Sequence, residues 1–367
     1  QARRFCLFGL LKAPPRFIVL SMILRPKPSP HHYATFIGTP SMATAPAWLR
    51  RAIPDAQGLA RKGVGPNALE EVALAAGAAI GALDAVVRRQ ERWAGAWRQR
   101  LALAAAAVTA KQAGRVEDEG ALRDSFVLAR PSDILSGSTT LGPAGLLLLA
   151  WRRLAARPAE DLLEEKSLAA VLEEFGYAPD DEVVADLAVE LRQLGGAGTI
   201  GMLIGAFTVA ERHGFARAFG CWLADALLAQ QLGWAHAAPL LGAEAAFGVG
   251  TGRPRRSAAS SGATSIETDP ERAKNLLAAQ ARAALRAIDL SAELERRADR
   301  LLAVAPKLRA KAADSVVERL LSDDAIVASE QIKGISDRGL RRLFDRLVEV
   351  GAVRELSGRP TFRIYGL

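Results

Sequence analysis

Residues 336–367, which read SDRGLRRLFDRLVEVGAVRELSGRPTFRIYGL, decide how the end of the chain folds. After Ser336, a residue type that caps helices, apolar residues recur at i, i+3, i+4, i+7 and i+8. This spacing predicts a helix over residues 337–350 that lies on a core. A glycine then ends the helix and the apolar period falls to two. The shorter period predicts strands at residues 352–356 and 361–365, joined by a turn as a β-hairpin.

Seven arginines lie on the polar side of this predicted helix and on the hairpin. They are Arg338, Arg341, Arg342 and Arg346 on the helix, and Arg354, Arg359 and Arg363 on the hairpin. Residues 331–367 hold eight Lys or Arg against four Asp or Glu, a net charge of +4. Such a surface is typical of a nucleic-acid interface, although a solvated helix face or a protein-binding surface has the same composition.

The segments before residue 336 complete a small module. Residues 312–321 have the spacing of an amphipathic helix, and Ser329 precedes a predicted one-turn helix that ends at Gly334. Helix, short helix, capped basic helix and basic hairpin is the order of a winged helix-turn-helix, which we predict for residues 307–367. In that module the basic helix lies in the major groove of DNA, and the hairpin reaches the backbone or the minor groove.

Upstream of this module the sequence reads as a series of amphipathic helices separated by Gly and Pro. We expect a multi-helix core at residues 48–247, a flexible Gly/Ser/Ala-rich linker at 248–270 and a long helix at 271–305 that joins the core. The predicted fold class is therefore mainly α, a multi-helix core followed by a small winged helix-turn-helix. The core helices are expected at residues 69–89, 94–113, 117–128, 144–156, 159–175, 180–194, 200–213 and 216–232.

The first 41 residues differ from the rest of the chain. They hold six Lys or Arg and no Asp or Glu, so they supply most of the overall net charge of +8. We expect residues 1–41 to be a non-native or disordered leader, with translation starting at Met42. A signal or transit peptide is the alternative, since residues 17–24 are apolar and residues 43–45 resemble a cleavage site. The Pro-rich stretch between them argues against it.

Composition excludes several classes of protein. Two cysteines rule out a disulfide scaffold, and together with four scattered histidines they leave little material for a metal centre. The longest uncharged stretches, residues 134–151 and 193–210, are interrupted by Gly, Ser, Thr or Pro, so they do not predict a membrane span. We expect a cytoplasmic protein with no cofactor, no metal and no membrane partner.

Three further patterns suggest chemistry but fit a structural role better. Residues 196–201, GAGTIG, match the dinucleotide-binding pattern, but a helix rather than a strand is predicted before them. Residues 117–124 hold four carboxylates, which suit either an acid–base site or the charged start of a helix. His213, Cys221 and His236 have spacings that match no zinc pattern.

Several strings along the chain resemble one bacterial family, the domain of unknown function 1403. They are residues 93–101 (WAGAWRQRL), 114–119 (GRVEDE), 142–145 (GPAG), 150–154 (AWRRL) and 305–311 (APKLRAK). The likeness extends from Trp48 to Leu367 and is most distinctive after residue 336. It implies no reaction, ligand or catalytic residue. The chain departs from the family at residues 132–140, where a shorter acidic loop is expected, and at the linker.

Taken together, these patterns predict a non-enzymatic, DNA-associated, regulator-like protein. In this hypothesis Arg338, Arg341 and Arg342 face a groove of double-stranded DNA, while the other four arginines hold phosphates. The helical core senses a protein partner or forms a homo-oligomer. One alternative is a helical interaction scaffold whose winged helix binds protein. Another is an enzyme that uses the carboxylates of residues 117–124.

Overall fold

Helices account for most of the residues that the structure describes, which confirms the predicted mainly α class. The computed structural model describes residues 45–53, 68–129, 141–244, 270–308, 312–359 and 361–367. The predicted leader, the loop at residues 132–140 and all of the predicted linker except Pro270 lie outside these ranges. Ser41–Leu367 belong to one compact unit.

The core helices follow one another along the chain. They are α1 (Ala47–Ala52), α2 (Ala68–Arg88), α3 (Ala94–Gln112), α4 (Glu119–Leu128), α5 (Gly142–Ala156), α6 (Glu165–Glu174), α7 (Asp181–Leu194), α8 (Gly198–Arg212), α9 (Arg217–Gln231) and α10 (Pro270–Val304). The single helix predicted over residues 159–175 is interrupted. It begins as a 3₁₀ turn at Ala159–Asp161, and α6 starts afresh after Glu164, whose extended backbone (ψ 147°) breaks the helix.

Helix α10 is the central helix of the core. Its 35 residues span about 52 Å at about 1.5 Å per residue. It packs along α2 and also contacts α3 and α8, while α3 packs on α5 and α8 packs on α9. Alanine dominates its buried side, and such small side chains let neighbouring helices approach closely without many aromatics. No helix within the described ranges is long and apolar enough to cross a membrane.

A small mixed segment follows the core. Its elements are α11 (Ala313–Ser322), β1 (Ile326–Val327), α12 (Asp337–Glu349), β2 (Arg354–Glu355) and β3 (Ile364–Gly366). The strands form an antiparallel sheet in the order β1–β3–β2. Helix α12 packs on this sheet, with the Phe344 and Tyr365 rings stacked at a centroid distance of 4.3 Å. The predicted N-cap is confirmed, since the Ser336 hydroxyl accepts the Gly339 N–H at 3.2 Å.

Two local predictions in this segment are wrong. The expected one-turn helix at residues 329–334 is a pair of turns, in which the Glu330 N–H bonds to Val327 and the Ile335 N–H bonds to Ile332. The strands are also shorter than predicted. The N–H groups of residues 352 and 353 both bond to the Leu347 carbonyl at the end of α12, so they are not free to pair with a strand.

A buried carboxylate joins this segment to the core. Asp324, just before β1, is 3% exposed and forms ion pairs with Arg100 of α3 and, at 2.5 Å, with Arg123 of α4. Burial alone would raise the pKa of Asp324. The two guanidinium groups lower the pKa by more than burial raises it, so the pKa lies below its usual value. Next to it, Asp323 pairs with Arg152 of α5 at 2.7 Å. Three core helices therefore hold the start of the sheet.

Candidate nucleic-acid interface

The solvent side of α12 carries the four helical arginines that the sequence singled out. Arg338, Arg341, Arg342 and Arg346 are all exposed, while Leu340, Leu343, Phe344 and Leu347 on the other side of the helix are buried. Within the described ranges, none of the four forms an ion pair with a carboxylate. Their guanidinium groups therefore face water and are available to an external anion.

The hairpin arginines are exposed as well, but their surroundings differ. Arg363 precedes β3 and hydrogen-bonds the side chain of Tyr365, and this bond raises the pKa of Arg363. Arg354 lies on β2 beside Arg297 of α10. Burial lowers the pKa of Arg297, and the positive charge of Arg354 lowers it further. Arg297 itself is largely buried and pairs with Glu293, so it does not extend the exposed basic surface.

Arg359, at the hairpin turn, already has a partner. Its guanidinium lies 2.6 Å from a carboxylate oxygen of Asp124 on α4. The Asp124 side chain is 14% exposed, whereas that of Arg359 is 52% exposed. A phosphate would have to compete with this carboxylate, so Arg359 differs from the other six predicted arginines.

A cleft of about 410 Å³ separates α12 from the hairpin. Arg341 lines it from the helix side, and Arg363 and Tyr365 line it from β3 and its approach. Asp345 lines it too and contributes to the charge around Arg363. The structure thus brings together two arginines that are 22 positions apart in the sequence. Sequence reasoning missed Phe362, an exposed aromatic residue that also lines the cleft.

The glycine-rich pattern at residues 196–201 is a helix–helix turn. It spans the turn after α7 and the first residues of α8, and Gly198, where α8 begins, has a positive φ of +68°. At Gly205, one turn after Gly201, a Cβ atom would lie 2.4 Å from the Leu194 side chain. The glycines therefore serve close packing of two helices, and the strand that a dinucleotide site needs is replaced by α7.

Two of the four carboxylates of residues 117–124 have structural roles. Asp118 caps α4 by accepting the Ala121 N–H at 2.8 Å, and Asp124 pairs with Arg359. Burial raises the pKa of the Cys221 thiol to about 12, so its reactive thiolate form is disfavoured. Within the described ranges, no group of three His, Cys, Asp or Glu side chains is arranged to hold a metal ion.

Comparison with known proteins agrees with the strings quoted above. No curated protein and no solved structure matches the chain. One family model, described as a protein of unknown function (DUF1403), matches residues 39–367. That range includes the helical core, the three-stranded sheet and the arginine-bearing helix. The chain therefore belongs to the family of proteins of unknown function called DUF1403.

Proposed function

We propose that the chain binds double-stranded DNA through α12 and the β2–β3 hairpin, which act as a winged helix-turn-helix. The element order supports this, because helix, strand, turns, basic helix and hairpin follow one another. The sheet supports it too, since β1 pairs with the second strand of the hairpin, β3, and α12 packs on the sheet. In this arrangement α12 enters the major groove and the hairpin lies along the adjacent backbone.

One observation carries the proposal. Arg338, Arg341, Arg342 and Arg346 form an exposed face of α12, and none of them is in an ion pair with a described carboxylate. Arg363 lies across the cleft from Arg341. Arginine forks suit both phosphate oxygens and guanine edges. We assign Arg338, Arg341 and Arg342 to the groove and the others to phosphates. Arg359 contributes only if DNA displaces Asp124.

The helical core has a second role in this proposal. A DNA-binding regulator needs a part that recognises a signal or pairs two copies, and we assign that part to α1–α10. The ion pairs of Asp323 and Asp324 fix the DNA-binding segment on α3, α4 and α5. The proposal places the protein in the cytoplasm as a non-enzymatic regulator.

Fluorescence anisotropy with a labelled DNA duplex at several salt concentrations tests the proposal. If Arg346, Arg354 and Arg363 each neutralise one phosphate, the logarithm of the binding constant should fall with the logarithm of salt concentration with a slope of about −2.7, or about −3.6 if Arg359 also binds one. Replacing Arg338, Arg341 and Arg342 together by Ala should weaken binding at every salt concentration, while the slope, which counts the phosphate contacts of the other arginines, should change little. Binding that is weak at low salt, or that depends little on salt, would refute the proposal and favour a protein partner.

A matched triple variant controls for net charge. Arg51, Arg157 and Arg192 are exposed arginines of the helical core, and replacing them by Ala removes the same three charges. We expect this variant to bind DNA like the wild-type protein at each salt concentration. Equal losses in the two triple variants would show that net charge, rather than the face of α12, governs binding.

A further inference from the structure

Phe362 has an unusual backbone conformation and an unusual exposure. Its φ is +56°, in the left-handed region that side chains other than glycine rarely adopt. It is 65% exposed, although an aromatic ring is normally buried. Immediately after it, the Arg363 carbonyl accepts the Ala328 N–H at 2.9 Å and strand β3 begins. Pairing between β1 and β3 therefore holds the backbone at the point where the Phe362 ring turns outward.

The surroundings of the ring carry more positive than negative charge, since two arginines and one carboxylate, Asp345, line the cleft. Phe362 lines the same cleft as Arg341 and Arg363, and both arginines are exposed. A duplex that receives Arg341 in its groove and binds Arg363 through a phosphate passes close to the ring. Strained backbone at an exposed position is characteristic of functional sites, because folding alone does not reward it.

We propose that Phe362 inserts as an apolar wedge between neighbouring base pairs in the minor groove and thereby bends the duplex. This inference rests on the proposed function. Apolar side chains that enter the minor groove unstack a base step and kink the DNA. The hairpin presents Phe362 next to Arg363, which is assigned to the backbone phosphates, as a wedge requires.

The observations fit a wedge in duplex DNA better than an aromatic stacking surface for single-stranded nucleic acid. Proteins that bind single-stranded nucleic acid stack successive bases on several aromatic rings along a groove. Among the described residues, the exposed large hydrophobic side chains include two aromatics, Phe362 and Trp48. Trp48 belongs to α1, whereas Phe362 is the one that lines this cleft. A single ring next to two arginines suits one base step of a duplex.

Fluorescence energy transfer between dyes at the two ends of a duplex of about 30 base pairs measures the bend. The duplex should contain pyrimidine–purine steps, which kink readily. The full-length wild-type chain should raise the transfer efficiency on binding. Phe362→Ala should abolish the rise and weaken binding about tenfold, the loss of one stacked base. The salt slope should stay unchanged, since all arginines remain.

Two variants separate the ring from the backbone. Phe362→Gly removes the ring and accepts the positive φ without strain, so it should lose the bend as Phe362→Ala does. Phe362→Leu keeps an apolar wedge and should retain part of the bend. Trp48→Ala, which removes the other exposed aromatic, should leave bend and affinity unchanged. A bend in Phe362→Gly equal to that of the wild type would refute a role for the ring.

The two proposals fail in different ways. If wild type binds DNA with the expected salt slope and the α12 arginines control the affinity, but Phe362→Ala binds and bends equally well, the wedge is wrong and the DNA-binding role stands. If wild type does not bind duplex DNA, both are wrong. If the wild type binds but Phe362→Ala is affected only as much as Trp48→Ala, the wedge is refuted as well.

Discussion

Removing the charge of Asp324 should destabilise the whole chain. In Asp324→Asn the side chain keeps its shape, but Arg100 and Arg123 lose the carboxylate that neutralises them. The side chains of these arginines are only 13% and 10% exposed, so water cannot replace the lost partner fully. Breaking a buried ion pair from one side costs about 3–5 kcal/mol. For a chain of this length that corresponds to a fall in Tm of about 4–8 °C.

Urea unfolding at pH 7 measures this loss, with Asp289→Asn as the control. Asp289 pairs with Arg50 at 2.8 Å, but the two side chains are 49% and 39% exposed. Water screens such a pair, so Asp289→Asn should cost less than about 1 kcal/mol. If Asp324→Asn costs no more than this control, the ion pairs do not hold the C-terminal segment on the core.

Acid should remove the same contribution from the wild-type protein. The pKa of Asp324 is lowered in the folded state, so its stabilisation is complete above the unfolded pKa of about 3.9. It is lost as the pH falls through the lower folded pKa. The difference in unfolding free energy between wild type and Asp324→Asn should therefore shrink below about pH 4. A difference that stays constant down to pH 3 would contradict the assignment.

Two further variants test the packing and the buried thiol. A Cβ at Gly95 would lie 2.6 Å from the carbonyl oxygen of Ser322, so Gly95→Ala should cost about 1–3 kcal/mol in urea unfolding. Gly77→Ala, in open space on α2, should instead gain about 0.5–1 kcal/mol, and equal effects would contradict the close contact. In a Cys6→Ser background, Cys221 should resist a thiol reagent at pH 8 until the chain unfolds, since its pKa is about 12. Rapid labelling of the folded protein would show that the thiol is neither buried nor protonated.

The elements that sequence predicted well depend on neighbours close in the chain. The apolar spacing after Ser336 and its cap determine α12 locally, and both are found in the structure. The predicted one-turn helix at residues 329–334 does not form, because so few residues cannot offset the cost of helix nucleation. The N–H groups in this segment form turn hydrogen bonds, and the Glu330 side chain forms an ion pair with Arg319 of α11 at 2.9 Å.

The features of the site that the sequence missed depend on distant partners or on one dihedral angle. Arg359 and Asp124 are 235 positions apart, and no local pattern connects them. Phe362 and Ile364 would lie on one side of a strand over residues 361–365, so the alternation favours burial of both. The positive φ of Phe362 breaks that alternation, and only Ile364 is buried.

The ion pairs around Asp324 can form only late in the synthesis of the chain. The partners on α3 and α4 are 224 and 201 positions earlier in the chain, so a ribosome finishes these helices long before the carboxylate emerges. Until then Arg100 and Arg123 repel each other, because the carboxylate between them is missing. Contacts between residues far apart in the sequence also form slowly. A nascent chain that stops before residue 324 is thus left open at this point, where a chaperone or a protease can act on it.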